Sequence, residues 1–182
     1  LVGGVNDSWS STTYVLDTAT PLTMVLSETT AGETTRYWHG LDTLAQSDGT
    51  TTEYFAYDGL GSVRQLVDET GSVTLAQTFD AYGNGYATSG SASSRLGWTG
   101  EQTDSNGFVY LRARYYAPGM GRFTQMDPSR QERNAYQFAY GNPILFTDPS
   151  GLLPGECYSD SPPSYCYHLR GMTPGTNGLL PR

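Results

Sequence analysis

The stretch SVRQLVDETGSVTLAQTFD, Ser62 to Asp80, decides the fold. Two strand-like runs rich in β-branched residues, Val63–Val67 and Val73–Phe79, flank Glu69-Thr70-Gly71. That trio is a compact turn with Gly where a positive φ is tolerated. The runs are expected to pair antiparallel. Outward from this hairpin the same grammar repeats. TTTEYFAYD, Thr50 to Asp58, is another β-branched and aromatic run. TDSNGFVYLRARYY, Thr103 to Tyr116, carries Asn106-Gly107, a strong hairpin signal. An aromatic beside a turn recurs at Tyr37, Tyr57 and Phe79, steps of 20 and 22 residues, with Tyr14 lying 23 before Tyr37. Such a period is too short for a propeller blade. It suits strand-turn-strand units that stack or coil, each burying its face on the next.

Composition sets the outer bounds. The chain has 182 residues, enough for one sizeable core or a piece of something larger. LVGGVNDSWS starts without Met and resembles neither a signal peptide nor a mature N-terminus, so a piece of a longer protein is expected. No apolar run approaches the roughly 18 residues of a membrane helix. The formal net charge is −8, and all ten basic residues are Arg. That balance argues against a nucleic-acid partner, which needs a basic footprint. Charged residues make up only 15%, against 22 Gly and 14 Tyr, a β-rich and turn-rich composition. GLGSVR resembles half a phosphate loop, but no helix follows it. His39 and His168 lack a nucleophile at any recognisable spacing, so no catalytic triad is read. No cofactor, metal or small-molecule substrate is expected.

The pattern changes along the chain. Residues 1–86 read as repeat strands, and 87–97 as a loop by composition. Residues 98–152 read as a compact irregular section, and 153–182 as an extended tail holding five Pro and four Gly. YYAPGMGRF, Tyr115 to Phe123, demands tight turns and excludes a long helix. Only SRQERNAYQFAY, from Ser129, reads as a short helix, capped by Ser129 or Asp127. Tyr57, Tyr82, Tyr110, Tyr115, Tyr116, Tyr136 and Tyr140 read as packing aromatics. Cys157 and Cys166, both in the tail, fit a small disulfide loop and two idle thiols equally well. The acidic turn Asp-Pro-Ser occurs twice, at Asp127-Pro128-Ser129 and Asp148-Pro149-Ser150, 21 positions apart. Alone, such a turn is only a turn, its Asp accepting backbone N–H bonds.

These residues carry a resemblance. YFAYDGLGSVRQLVDETGSV resembles the YD repeat of the Rhs family. GFVYLRARYYAPGMGRFTQMDP followed by NAYQFAYGNPILFTDPSGL resembles the Rhs repeat-associated core, and the likeness runs from about Thr12 to Leu152. The resemblance implies an all-β fold: an antiparallel strand-turn-strand sheet that is the end of a spiralling β-shell, followed by an irregular core that curls inward as a plug. It also implies self-cleavage after the Asp-Pro-x-Gly-Leu motif, which here places the scissile bond at Leu152–Leu153. The acids would be Asp127 and Asp148, with Arg122 the nearby positive group. Pro128 and Pro149 would stiffen the two turns, and Gly151 would let the backbone fold beside the acids. One ionised and one protonated carboxylate could then act as base and acid. The first copy departs from the motif, reading DPSRQ.

The implied partners are the chain's own C-terminal segment or an effector cargo, the rest of the shell, and a secretion-system component or cell surface. The implied location is secreted or at the cell surface. A non-toxic structural or adhesive surface protein with an inactive cut site is the alternative.

Overall fold

A computed structural model describes residues 11–19, 22–40, 42–128 and 134–152. Eight antiparallel strands follow one another in chain order: β1 (Thr12–Asp17), β2 (Met24–Thr30), β3 (Glu33–His39), β4 (Thr43–Ser47), β5 (Thr52–Tyr57), β6 (Val63–Asp68), β7 (Val73–Phe79) and β8 (Gly85–Gly90). The deciding hairpin pairs as expected, with Gln65 opposite Ala76, Leu66 opposite Leu75 and Val67 opposite Val73. Bulges interrupt the ladders at 15/16, 38/39, 56/57, 66/67 and 78/79, all but that at 66/67 lying beside the recurring aromatics Tyr14, Tyr37, Tyr57 and Phe79. A bulge bends its strand and raises the local twist.

The two faces of the sheet differ. Phe55, Leu66 and Leu75 line up across β5, β6 and β7, and Ala92 and Leu96 of the following segment cover that row. On the other face Trp38, Ala45, Tyr54, Val67 and Val73 form a registered row across β3 to β7, with Trp38, Tyr54 and Val73 exposed. Such cross-strand pairs are the unit of sheet stabilisation.

β8 occupies residues whose composition reads partly as loop. Pairing with β7 satisfies its backbone, although its Gly, Ala, Thr and Ser side chains bury nothing. Arg95 ties the covering segment back to the sheet through Glu28, which also accepts the Tyr37 hydroxyl at 2.9 Å.

A smaller meander follows: β9 (Gln102–Thr103), β10 (Val109–Leu111), β11 (Arg114–Ala117) and β12 (Arg122–Phe123). Its core is aromatic. Trp98 stacks on Tyr116 at 5.1 Å between ring centres, and Phe138 lies 4.5 Å from Tyr116 and 5.7 Å from Phe123. This core docks on the turn ends of the large sheet. Gly97 accepts from the Val63 amide, Ser62 Oγ from the Thr99 amide, and Tyr82 O from the Tyr116 hydroxyl. Gly83 lies against the Trp98 ring, where any β-carbon would overlap it.

The expected helix after Ser129 is not formed by its described part. The Phe123 amide donates to Tyr136 O, and Gln137 bridges to Arg122, so the chain adds to the edge of β12. A single 3-10 turn, Ala139–Gly141, follows, and Ala139 and Tyr140 have positive φ that no α-helix permits. Residues 129–133 lie outside the described residues.

Candidate functional site

The site grows from a turn that occurs five times among the described residues. Asp58, Asp68, Asp80, Asp104 and Asp148 each have Gly three positions on, and in each the Gly amide donates to the Asp carbonyl at 2.8–3.1 Å. Each of these glycines has a positive φ. At Asp58, Asp68 and Asp80 the carboxylate also accepts the amides two and four residues on. At Asp148 the amide four on, Leu152, still donates to Oδ1 at 3.2 Å, and the Ser150 hydroxyl donates at 2.9 Å. The spacing Asp-x-x-Gly is legible in the sequence, and the Asp-Pro-Ser reading passed over it. Asp127 has Arg130 three positions on and so lacks the Asp-x-x-Gly spacing.

Burial separates the fifth turn from the others. Asp68 is only partly buried, and the Thr70 hydroxyl together with the Ser72 and Thr70 amides holds its carboxyl below the usual range. Asp148 is 1% exposed, and burial pushes its carboxyl up despite Ser150, Arg114 and the Leu152 amide, which favour the ionised form. One turn geometry thus sets a carboxyl held low at the partly buried Asp68 and one pushed up by burial at Asp148.

Three consecutive residues hold the segment that leads to Leu152. Arg112 Nη1 donates to Pro149 O at 2.9 Å, the Ala113 amide to Ser150 O at 3.2 Å, and Arg114 Nε to Gly151 O. Every carbonyl from Pro149 to Gly151 is therefore fixed by the β10–β11 turn. Gly151 must be Gly, because a β-carbon at its φ of +67° would overlap Leu111 O.

Arg114 is the central cation. It is 2% exposed, lies 3.5 Å above the Phe123 ring, approaches Asp148 Oδ2 at 3.5 Å and donates to Ala135 O at 3.2 Å. Asp127, 0% exposed, donates its amide to the same Ala135 carbonyl at 2.8 Å. Asp148 thus meets Arg114 directly, and Asp127 meets it through one shared acceptor. Arg122, the positive group expected from sequence, is exposed, with its guanidinium 5.8 Å from the Tyr136 ring centre. The reason is strand alternation. Arg114 and Tyr116 share a face of β11, Tyr116 pairs with Phe123, and Arg122 beside Phe123 points the other way.

A second buried acid, Glu101, pairs with Arg112, and burial raises its carboxyl, with the Asp148 charge adding to the rise. Pro128 is exposed and Leu152 half-buried. Leu153, Cys157 and Cys166 lie outside the described residues.

No protein-family model matches the chain. It is 32% identical over 108 residues to the tRNA nuclease WapA of Bacillus subtilis (strain 168), a match covering 54% of this chain and 5% of that protein. It is 34% identical over 110 residues to the toxin subunit YenC1 of Yersinia entomophaga, covering 56% of this chain and 11% of that subunit. A crystal structure of TcdB2-TccC3 without its hypervariable C-terminal region matches the fold with a TM-score of 0.63. That match has 19% identity and covers 81% of this chain and 8% of the larger one. Over about half its length the chain is thus similar to Rhs/YD-repeat toxins, and it spans a small fraction of the length of each.

Proposed function

We propose that this chain is the closing end of an Rhs-type shell that encloses or presents a polypeptide, and that it cuts itself once, between Leu152 and Leu153. The carrying observation is the Asp148 turn: a buried carboxyl accepts the Leu152 amide, and the three preceding carbonyls are pinned. Water would add to the Leu152 carbonyl carbon, and the bond to the Leu153 nitrogen would break. The raised Asp148 carboxyl suits the acid that protonates the leaving amine. Asp127, buried with its amide on the Ala135 carbonyl, is assigned the base that accepts the water proton. Arg114 steadies charge between them. The reaction acts on its own chain, so proximity supplies much of the rate.

The partners of this reading are the segment after Leu152 or a cargo behind it, the rest of the shell, and a delivery component or cell surface. Its location is secreted or at a surface. The test is denaturing electrophoresis and mass analysis of the protein made with its full shell. Wild type should separate into two pieces, the second beginning at Leu153. Asp127→Asn and Asp148→Asn should each stay whole while remaining folded. A wild-type chain that stays whole refutes the reading and favours a structural surface protein.

A further inference from the structure

We infer that Glu101, acting through Arg112, is a positioning residue for the Asp148 turn. This rests on the self-cleavage reading and deepens it. Four charged side chains converge here in alternation, Glu101 with Arg112 and Arg114 with Asp148. The proposed chemistry uses only the second pair. Arg112 Nη1 serves two acceptors at once, Glu101 Oε2 and Pro149 O. Its direction toward Pro149 is therefore set by Glu101.

Glu101 is itself anchored to the aromatic core. Its amide donates to Trp98 O at 3.1 Å, and its carbonyl accepts from the Gly97 amide at 3.0 Å. The preceding Gly100 packs so tightly on Gly61 O that a β-carbon would stand 2.9 Å from it. Arg112, by contrast, sits in the β10–β11 turn at a φ of +53°, a region unfavourable for an L-residue. That backbone is kept where the paired guanidinium holds it. A chain of contacts thus runs from the Trp98 core through Glu101 and Arg112 to the Pro149 carbonyl, three residues before the proposed bond.

A buried ion pair is a poor source of stability, since apolar residues of similar size stabilise as well or better. Positioning is the use that an apolar pair cannot replace. The negative form of Asp148 also acts on Glu101, raising its carboxyl further. The groups facing Glu101 are Arg112 and Asp148 and, around an adjoining cavity of about 280 Å³, Glu28, Tyr37, His39, Arg95 and Tyr110. Arg95 is already neutralised by Glu28, and His39 is fixed between Val25 O and Thr43 Oγ1. Removing the Glu101 charge therefore acts chiefly on Arg112 and Asp148.

The experiment follows the time course of cleavage by intact mass from pH 4 to 9, in the protein made with its full shell, beside urea unfolding. Glu101→Gln should slow the cut at least about 10-fold, the loss expected when about 1.4 kcal/mol of positioning disappears. It should also move the pH profile to lower pH, because an unneutralised Arg112 favours ionised Asp148. A role in stability alone would move neither the profile nor the rate per folded molecule. The double variant Glu101→Leu with Arg112→Met should keep the urea midpoint and still cut slowly. Wild-type cutting by either variant, with Asp148→Asn inert, overturns this inference and leaves self-cleavage standing. Cutting unaffected by Asp148→Asn overturns both.

Discussion

Replacing Gly151 by Ala tests whether the docked Asp148 turn is the working geometry. Two costs add. The first is conformational: Gly151 has a φ of +67°, and the left-handed region costs an L-residue about 1–2 kcal/mol. The second is a collision. The new β-carbon would overlap Leu111 O and stand 3.0 Å from the Arg114 amide nitrogen. Both obstacles are backbone, so the turn itself must lift. Lifting breaks the Ala113–Ser150 and Arg114–Gly151 hydrogen bonds, a neutral one worth about 1 kcal/mol and a charged one worth about 2 kcal/mol. The undocking part, about 3 kcal/mol, corresponds to a roughly 100-fold slower cut.

Gly107→Ala is the matched control. It occupies the same position of the same turn, with a φ of +82°, yet a β-carbon there meets nothing within 4 Å. It should cost only the conformational part and leave the rate within about 3-fold of wild type. Urea unfolding gives the stabilities, and intact mass at timed intervals gives the rates. Equal effects of the two substitutions on the cut would refute the claim that docking against β10 and β11 matters.

Arg114→Lys keeps the charge but cannot serve Gly151, Ala135 and Asp148 together; a loss of about 3 kcal/mol in urea unfolding is expected, with little cutting left. Trp98→Ala empties the centre of the aromatic cluster and should cost about 3–5 kcal/mol in the same assay, loosening the small meander. The pH dependence has a definite sign. Burial raises the carboxyls of Asp148 and Glu101, so the folded chain holds protons that the unfolded chain releases. Their stabilising share is full below about pH 4, the unfolded range, and is lost as pH rises through their folded values. Thermal melts should show this fall with rising pH, and Asp148→Asn should flatten it. Asp48 and Asp68 act oppositely, held low by the Thr51 and Thr50 amides and by Thr70 and Ser72, so their smaller share is lost as pH drops.

The large sheet was readable because its signals are local. The Val63–Val67 and Val73–Phe79 runs and the Gly71 turn lie within one hairpin, and nothing distant is needed to pair them. The site was readable only in part. Asp127 and Asp148 stand out as twin motifs, but their cation is set by which face of β11 and β12 each Arg occupies. The resemblance points to Arg122 as that cation, whereas Arg114, which shares a face with Tyr116 and Phe123, lies beside Asp148. Glu101 and the clamp from residues 112–114 were hidden for a related reason. Arg114 and Gly151 are 37 positions apart, and only the packing of the small meander joins them. The helix expected after Ser129 gave way, in its described part, to edge pairing with Arg122 and Phe123, a tertiary contact that local propensity does not encode.

The most direct measurement is the intact mass, under denaturing conditions, of the wild-type protein and of Asp148→Asn, each made with its complete shell. The account predicts a wild-type chain in two pieces with a new N-terminus at Leu153, and a single uncut Asp148→Asn chain of unchanged fold. A single uncut wild-type chain, or a variant cut like the wild type, would contradict it.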